Sequence, residues 1–97
     1  MKAKFHRLAR RELKDAVAFY NNAEIGLGDG FAAIIRDAVR DLLKNPHRWP
    51  VLEGRIRRRV VKKFRYVLLY AESGDSIFIV AVMHTSRKPD YWKERIE

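Results

Sequence analysis

The sequence predicts an α+β domain in which an αα-hairpin lies on one face of a mostly antiparallel sheet of about four strands. Three observations predict it. The first half holds a pair of stretches with apolar residues at helical spacing. The second half alternates or runs apolar in the manner of strands. Breakers of the Gly, Pro and Asn type separate these stretches. The order reads β-α-α-β-β-β with a short helical tail, as one domain over residues 1–97.

Lys2 to Arg7 reads as a first strand, with Ala3 and Phe5 on one face and Lys2, Lys4 and His6 on the other. Ala9 to Asn22 reads as a helix. Leu13, Ala16, Val17 and Tyr20 form its apolar stripe, while Glu12 and Asp15 interleave with Arg10, Arg11 and Lys14 as on a solvated face. Asn21-Asn22 and Gly26 end it, and Asp29 reads as the N-cap of the next helix. Phe31 to Lys44 carries a wide stripe (Phe31, Ile34, Ile35, Ala38, Val39, Leu42, Leu43) and stops at Asn45-Pro46. Pro46 to Gly54 reads as a loop, with Trp49 as a cover residue.

Strands follow. Ile56, Arg58 and Val60 alternate with Arg57, Arg59 and Val61, and Lys62-Lys63 marks a bend. Phe64 to Ala71 places Tyr66, Leu68 and Tyr70 opposite Val67, Leu69 and Ala71. Ser73-Gly74-Asp75 reads as a hairpin turn into a strand over Ser76 to His84, whose unbroken apolar run predicts burial on both faces. Pro89 fits the first position of a closing helix over Asp90 to Ile96.

Charge narrows the function. The net charge is +9, which calls for an acidic partner. Residues 1–54 contribute +3 (10 basic, 7 acidic) and residues 55–97 contribute +6 (11 basic, 5 acidic). Seven of the eleven residues from Arg55 to Arg65 are Arg or Lys, and like charges repel, so packing alone gives little reason to cluster them. The sequence has no cysteine, which excludes disulfides and thiolate metal sites and fits a reducing cytoplasm. His6, His47 and His84 show no metal-ligand spacing, and neither metal nor cofactor is expected. No stretch approaches the roughly 18 apolar residues of a membrane span, and Met1 to Arg7 lacks the apolar core of a signal peptide. A soluble cytoplasmic protein with no membrane partner is expected.

The candidate working surface is the junction after Met83, where the apolar strand gives way to His84, Arg87, Tyr91, Trp92 and Arg95. With the basic strand before it, this nominates Arg58, Lys63, Arg65, His84, Arg87, Trp92 and Arg95 for target binding. Arg87 is expected to fix the tail by pairing with a carbonyl or carboxylate. Trp92 also reads as a residue that closes the core from the tail.

Motifs run through most of the chain: His6-x-x-Ala9-x-x-Glu12-Leu13-x-x-Ala16, then Leu27-Gly28 before Phe31, then Asn45-Pro46. Arg57-Arg58-x-x-Val61-x-x-Phe64-x-Tyr66 and His84-x-x-Arg87-x-Pro89-x-x-Trp92-x-x-Arg95 complete the set. In this order and spacing they resemble the RelE/ParE superfamily of toxins from type II toxin–antitoxin (plasmid-stabilisation) systems, closer to the ParE branch. Arg65 departs from the pattern, since many relatives have Pro there. The resemblance implies a toxin–antitoxin hetero-oligomer, in which an acidic, amphipathic antitoxin segment covers the helices near Phe19, Tyr20, Phe31 and Ile35.

The resemblance leaves two targets open. ParE-like members bind and inhibit DNA gyrase, whereas RelE-like members cleave messenger RNA on the ribosome. Cleavage needs a base, an acid and a cation for the phosphorane. The family position for that cation falls near Val67, which cannot supply it. Arg65, two residues earlier on the same face, is a displaced substitute, with His84, Arg87 and Tyr91 completing a nuclease set.

Overall fold

The computed structural model describes residues 1–96. Strand β1 (Lys2–Phe5) leads into helix α1 (Arg7–Ala23) and helix α2 (Leu27–Lys44). Strands β2 (Val51–Glu53), β3 (Ile56–Val61), β4 (Tyr66–Ser73) and β5 (Ser76–His84) follow, and a 3₁₀ turn covers Lys93–Ile96. The sheet order is β1-β5-β4-β3-β2. β1 runs parallel to β5, and the remaining neighbours are antiparallel.

α1 starts where the imidazole of His6 accepts a hydrogen bond from the Leu8 N–H at 3.0 Å, so His6 caps the helix. α2 begins at Leu27, ahead of the expected Phe31, with Gly26 at its N-cap in the left-handed region (φ +84°). Asp29 lies inside the first turn and is not the cap. The capping oxygen comes from the neighbouring helix: Asn21 Oδ1 accepts from the N–H groups of Gly28 (2.7 Å) and Asp29 (3.2 Å). This tight crossing requires Gly28, because a Cβ there would lie 2.0 Å from the Val17 carbonyl oxygen. Gly28→Ala is therefore expected to cost about 1–3 kcal/mol as the helices part. A chemical-denaturation midpoint unchanged within error would refute this account of the crossing.

Among the described residues the sheet has five strands, one more than expected. The extra strand, β2, is three exposed residues within the presumed loop, too short to display alternation. β4 begins at Tyr66, not Phe64. Phe64 and Arg65 form the preceding turn with φ +75° and +58°. Left-handed backbone is costly for residues other than glycine. Phe64 is held there by its ring, which packs on Tyr20 at 4.8 Å and Phe31 at 5.1 Å. Arg65 lies in the turn, so it does not share a strand face with Val67. A proline fixes φ near −65°, so proline at position 65 is incompatible with this turn. Arg65→Pro is expected to destabilise by more than about 1 kcal/mol, while Arg65→Gly leaves stability unchanged or slightly raised. Equal melting temperatures for the two variants would sink this reading.

Apolar layers cover both faces of the sheet. On the helix face, Phe31, Ile35, Ala38 and Leu42 pack over Val61, Leu68, Tyr70, Ile77, Ile79 and Val82. On the outer face, Ile56, Val67, Leu69, Val80 and Ala81 lie with Trp92 from the tail. A register shift explains how Val80 and Ala81 both reach the outer face: Leu69 pairs with Ala81 but Tyr70 with Ile79, so β5 carries a bulge. β5 is buried on both faces through most of its length, as its sequence predicts. The tail after Pro89 forms turns and a single 3₁₀ turn, not the expected helix from Asp90.

Candidate functional site

β1 ends opposite Ile79, so the edge of β5 lies open beyond that point. Two side chains from opposite ends of the sequence fill it. The Val82 N–H donates to Glu12 Oε1 at 3.0 Å, and Arg95 Nη1 donates to the Val80 carbonyl at 3.0 Å. The Arg95 guanidinium also grips both Glu12 oxygens at 2.9 Å. The pair stands in for a missing strand, satisfying backbone groups that burial would otherwise leave unpaired. Tyr91 adds a hydroxyl donated to Glu12 Oε2 and packs its ring between Arg87 (4.0 Å) and Arg95 (4.9 Å).

The electrostatics follow from this geometry. Burial is the largest single influence on Glu12 and opposes its charge. The hydrogen bonds from Arg95, Tyr91 and Val82 together outweigh it and hold the carboxyl below its usual range. Burial, then the bond to Glu12, pushes the Tyr91 hydroxyl far upward. The bond to Glu12 raises Arg95 against the desolvation it suffers. Glu12 thus lies on the packed side of α1, between the buried Ala9 and Ala16, and not on a solvated face. Arg95 fixes the tail, the role expected of Arg87.

Beside this latch runs a groove of about 350 Å³ between Asp15 and Phe19 on α1 and Tyr66, His84 and Arg87 at the sheet end. His84 meets Tyr66 edge-on at 5.2 Å. Its Nδ1 accepts from the Ser86 N–H at 3.1 Å and lies 2.8 Å from the Ser86 hydroxyl. An Nδ1 that accepts from backbone places the neutral ring's proton on Nε2.

The basic stretch divides by strand alternation. Arg57 and Arg59 turn to the helix face. Arg57 donates to the Trp49 carbonyl at 2.7 Å; Arg59 pairs with Asp41 at 2.9 Å and covers the Trp49 ring at 4.9 Å. Arg55 donates to the Glu72 carbonyl at 2.7 Å. Arg58, Lys62, Lys63 and Arg65 are exposed. None of the four makes an ion pair among the described residues.

Of the residues nominated for target binding, Arg58, Lys63, Arg65 and Arg87 are exposed and His84 is partly so. Trp92 is only 1% exposed, with its indole N–H on the Pro89 carbonyl at 2.7 Å. The Arg95 side chain is only 8% exposed. Both hold the tail and offer little surface to a target. Of those nominated to meet an antitoxin, Phe19 is 68% exposed, while Phe31 and Ile35 are enclosed in the core and Tyr20 packs on Phe31 and Phe64. The almost fully exposed Ile25, at the hairpin turn, was not nominated. Among the described residues no three His, Asp or Glu side chains converge as metal ligands, and no helix is long and apolar enough to cross a membrane.

The most informative missed residue is Glu12. The signal was present, since its spacing from Ala9 and Ala16 puts it on the inward face. Comparison with known proteins agrees with this architecture. No curated protein sequence matches. The chain superposes on one from the solved chromosomal ParDE TA system of P. aeruginosa with a TM-score of 0.70 at 19% identity, covering 87% of this chain and 95% of that one. At that identity the likeness shows the fold. Residues 3–89 match the family described as ParE toxin of type II toxin-antitoxin system, parDE, a span that includes the Glu12 side of the latch, the basic turn and His84. With that match over most of its length, the chain belongs to the ParE toxin family.

Proposed function

We propose that this ParE-family chain inhibits DNA gyrase by binding it, in the cytoplasm, and is neutralised by a cognate antitoxin. The carrying observation is Val67. It lies near the position where the resemblance to RelE-like members implies a cation for RNA cleavage, and it is 4% exposed within the outer-face cluster. Tyr91 adds support, because a hydroxyl tied to Glu12 with its pKa driven upward is a poor proton shuttle near neutrality. The test is supercoiling of relaxed plasmid by gyrase with the purified chain titrated in. Inhibition relieved by antitoxin is expected; full supercoiling by gyrase in the presence of a folded, toxic sample would overturn the reading.

One observation favours the second reading, ribosome-dependent cleavage of messenger RNA: the groove brings His84, with its protonated Nε2, beside Tyr66 and Arg87. Truncated messages in cells expressing the chain, with gyrase unaffected, would establish it. The antitoxin is read from the net charge of +9 and the exposed Phe19 and Ile25 on the helical hairpin. These fit an acidic segment with apolar anchors. Co-purification with the product of the adjacent reading frame should raise the melting temperature, as any ligand of the native state does.

A further inference from the structure

Strand pairing gathers separate basic segments at one end of the sheet. Val61 pairs with Tyr66, and Tyr66 with His84, so the β3–β4 turn lies beside the chain leaving β5. The Thr85 N–H donates to the Arg65 carbonyl at 3.0 Å and joins the two. Lys62, Lys63 and Arg65 come from the first segment, Arg87 and Lys88 from the second, and all five are exposed. None has an acidic partner among the described residues. Across both segments, residues 62–66 and 84–91, the lone acid is Asp90. The acids of the β4–β5 hairpin, Glu72 and Asp75, lie at the opposite end of the sheet. The left-handed backbone at Phe64 and Arg65 holds Lys62, Lys63 and Arg65 outward while the Phe64 ring points into the core.

We propose that this end of the sheet is a docking surface for the phosphate backbone of duplex DNA. Three adjacent strand ends cover about 10 Å. With the reach of lysine and arginine side chains, the cations span a distance comparable to the roughly 12 Å major groove, so they can meet phosphates on both of its walls. A single strand is a poorer fit, because such binders present aromatic faces for bases to stack on. The rings nearby are already engaged: Phe64 with Tyr20 and Phe31, and Tyr66 with Phe31 and His84. An acidic peptide finds little apolar anchorage here, because Val61 and Val67 are buried and Val60 alone of the three is exposed, at 47%. The inference deepens the gyrase reading, since it would direct the toxin to gyrase already holding DNA. Its test needs no gyrase, so the two stand or fall separately.

The test is fluorescence anisotropy of a short labelled duplex titrated with the purified chain between about 50 and 200 mM salt. Five phosphate contacts predict a log–log salt slope of about −4 to −5. Lys62→Glu with Lys63→Glu should weaken binding at least about tenfold, and Arg65→Gly should reduce the slope by about one unit while leaving the fold intact. The control, Arg36→Glu with Lys44→Glu on the exposed face of α2, makes the same change in net charge and should shift affinity less than about threefold. Absence of binding at low salt overturns the proposal, as does an equal loss in the control. Tighter binding of the corresponding single strand, or equal competition by polyglutamate, overturns the choice of duplex DNA.

Discussion

Glu12→Ala is expected to lower stability by about 3 kcal/mol, because removing one member of an enclosed ion pair strands the other. Arg95 is left charged at 8% exposure, and the Val82 N–H loses its acceptor. For a domain of this size each kcal/mol corresponds to roughly 4–8 °C, so the melting temperature should fall by more than about 10 °C. A double-mutant cycle with Arg95→Ala should reveal coupling of at least about 1 kcal/mol. A loss of under about 1 kcal/mol for Glu12→Ala would mean the tail does not depend on the latch. The pH dependence has a definite sign. The Glu12 carboxyl is held below its ordinary value of 4.5, so its contribution is complete above that pH and disappears as pH falls through the lower folded value. Glu12→Gln should flatten the acid limb of a stability–pH profile.

The second large effect belongs to Trp92. Its ring is the tail's contribution to the outer face, over Ile56, Val67, Leu69, Val80 and Ala81. Burying an aromatic of this size removes about 200 Å² from water. Trp92→Ala is expected to cost about 3–5 kcal/mol, and Trp92→Phe appreciably less, since most of the apolar contact survives. Both can be read from urea denaturation. If the alanine variant were as stable as the parent, the tail would be an appendage and not part of the core. Trp92 acts on the outer face of the sheet and Glu12 at the open edge of β5, but both hold the same segment. Either loss should increase proteolysis after Arg87 before it unfolds the sheet.

The limits of sequence reading can be traced to particular residues. α1, α2 and β3 to β5 were legible because a stripe or an alternation repeats many times within each. β2 was not, since three exposed residues repeat nothing. The left-handed turn at Phe64-Arg65 was missed because neither residue type signals positive φ; the ring of Phe64, packed between distant helices, imposes it. At the candidate site, the exposed cations followed directly from composition. The division between engaged Arg57 and Arg59 and unpaired Arg58 was implicit in the alternation. The latch was harder. Glu12 and Arg95 stand 83 positions apart, and each had a plausible local reading, as a solvated helix charge and as a surface tail cation. The motifs that carry the resemblance contain both residues. Glu12 and Arg95 form one ion pair that holds the tail.

That ion pair also bears on when the protein becomes whole during synthesis. β1 must wait for β5, and Glu12 for Arg95, so both closures span most of the chain. A chain still attached to the ribosome, with Arg95 not yet emerged, has an open strand edge at Val80 and Val82 and an uncovered outer face. Nascent chains arrested short of Arg95 should therefore be cut by protease, and chains arrested well beyond it should resist. Translation thus delays closure of the latch until Arg95 has emerged, leaving an interval in which a partner can meet an unfinished molecule.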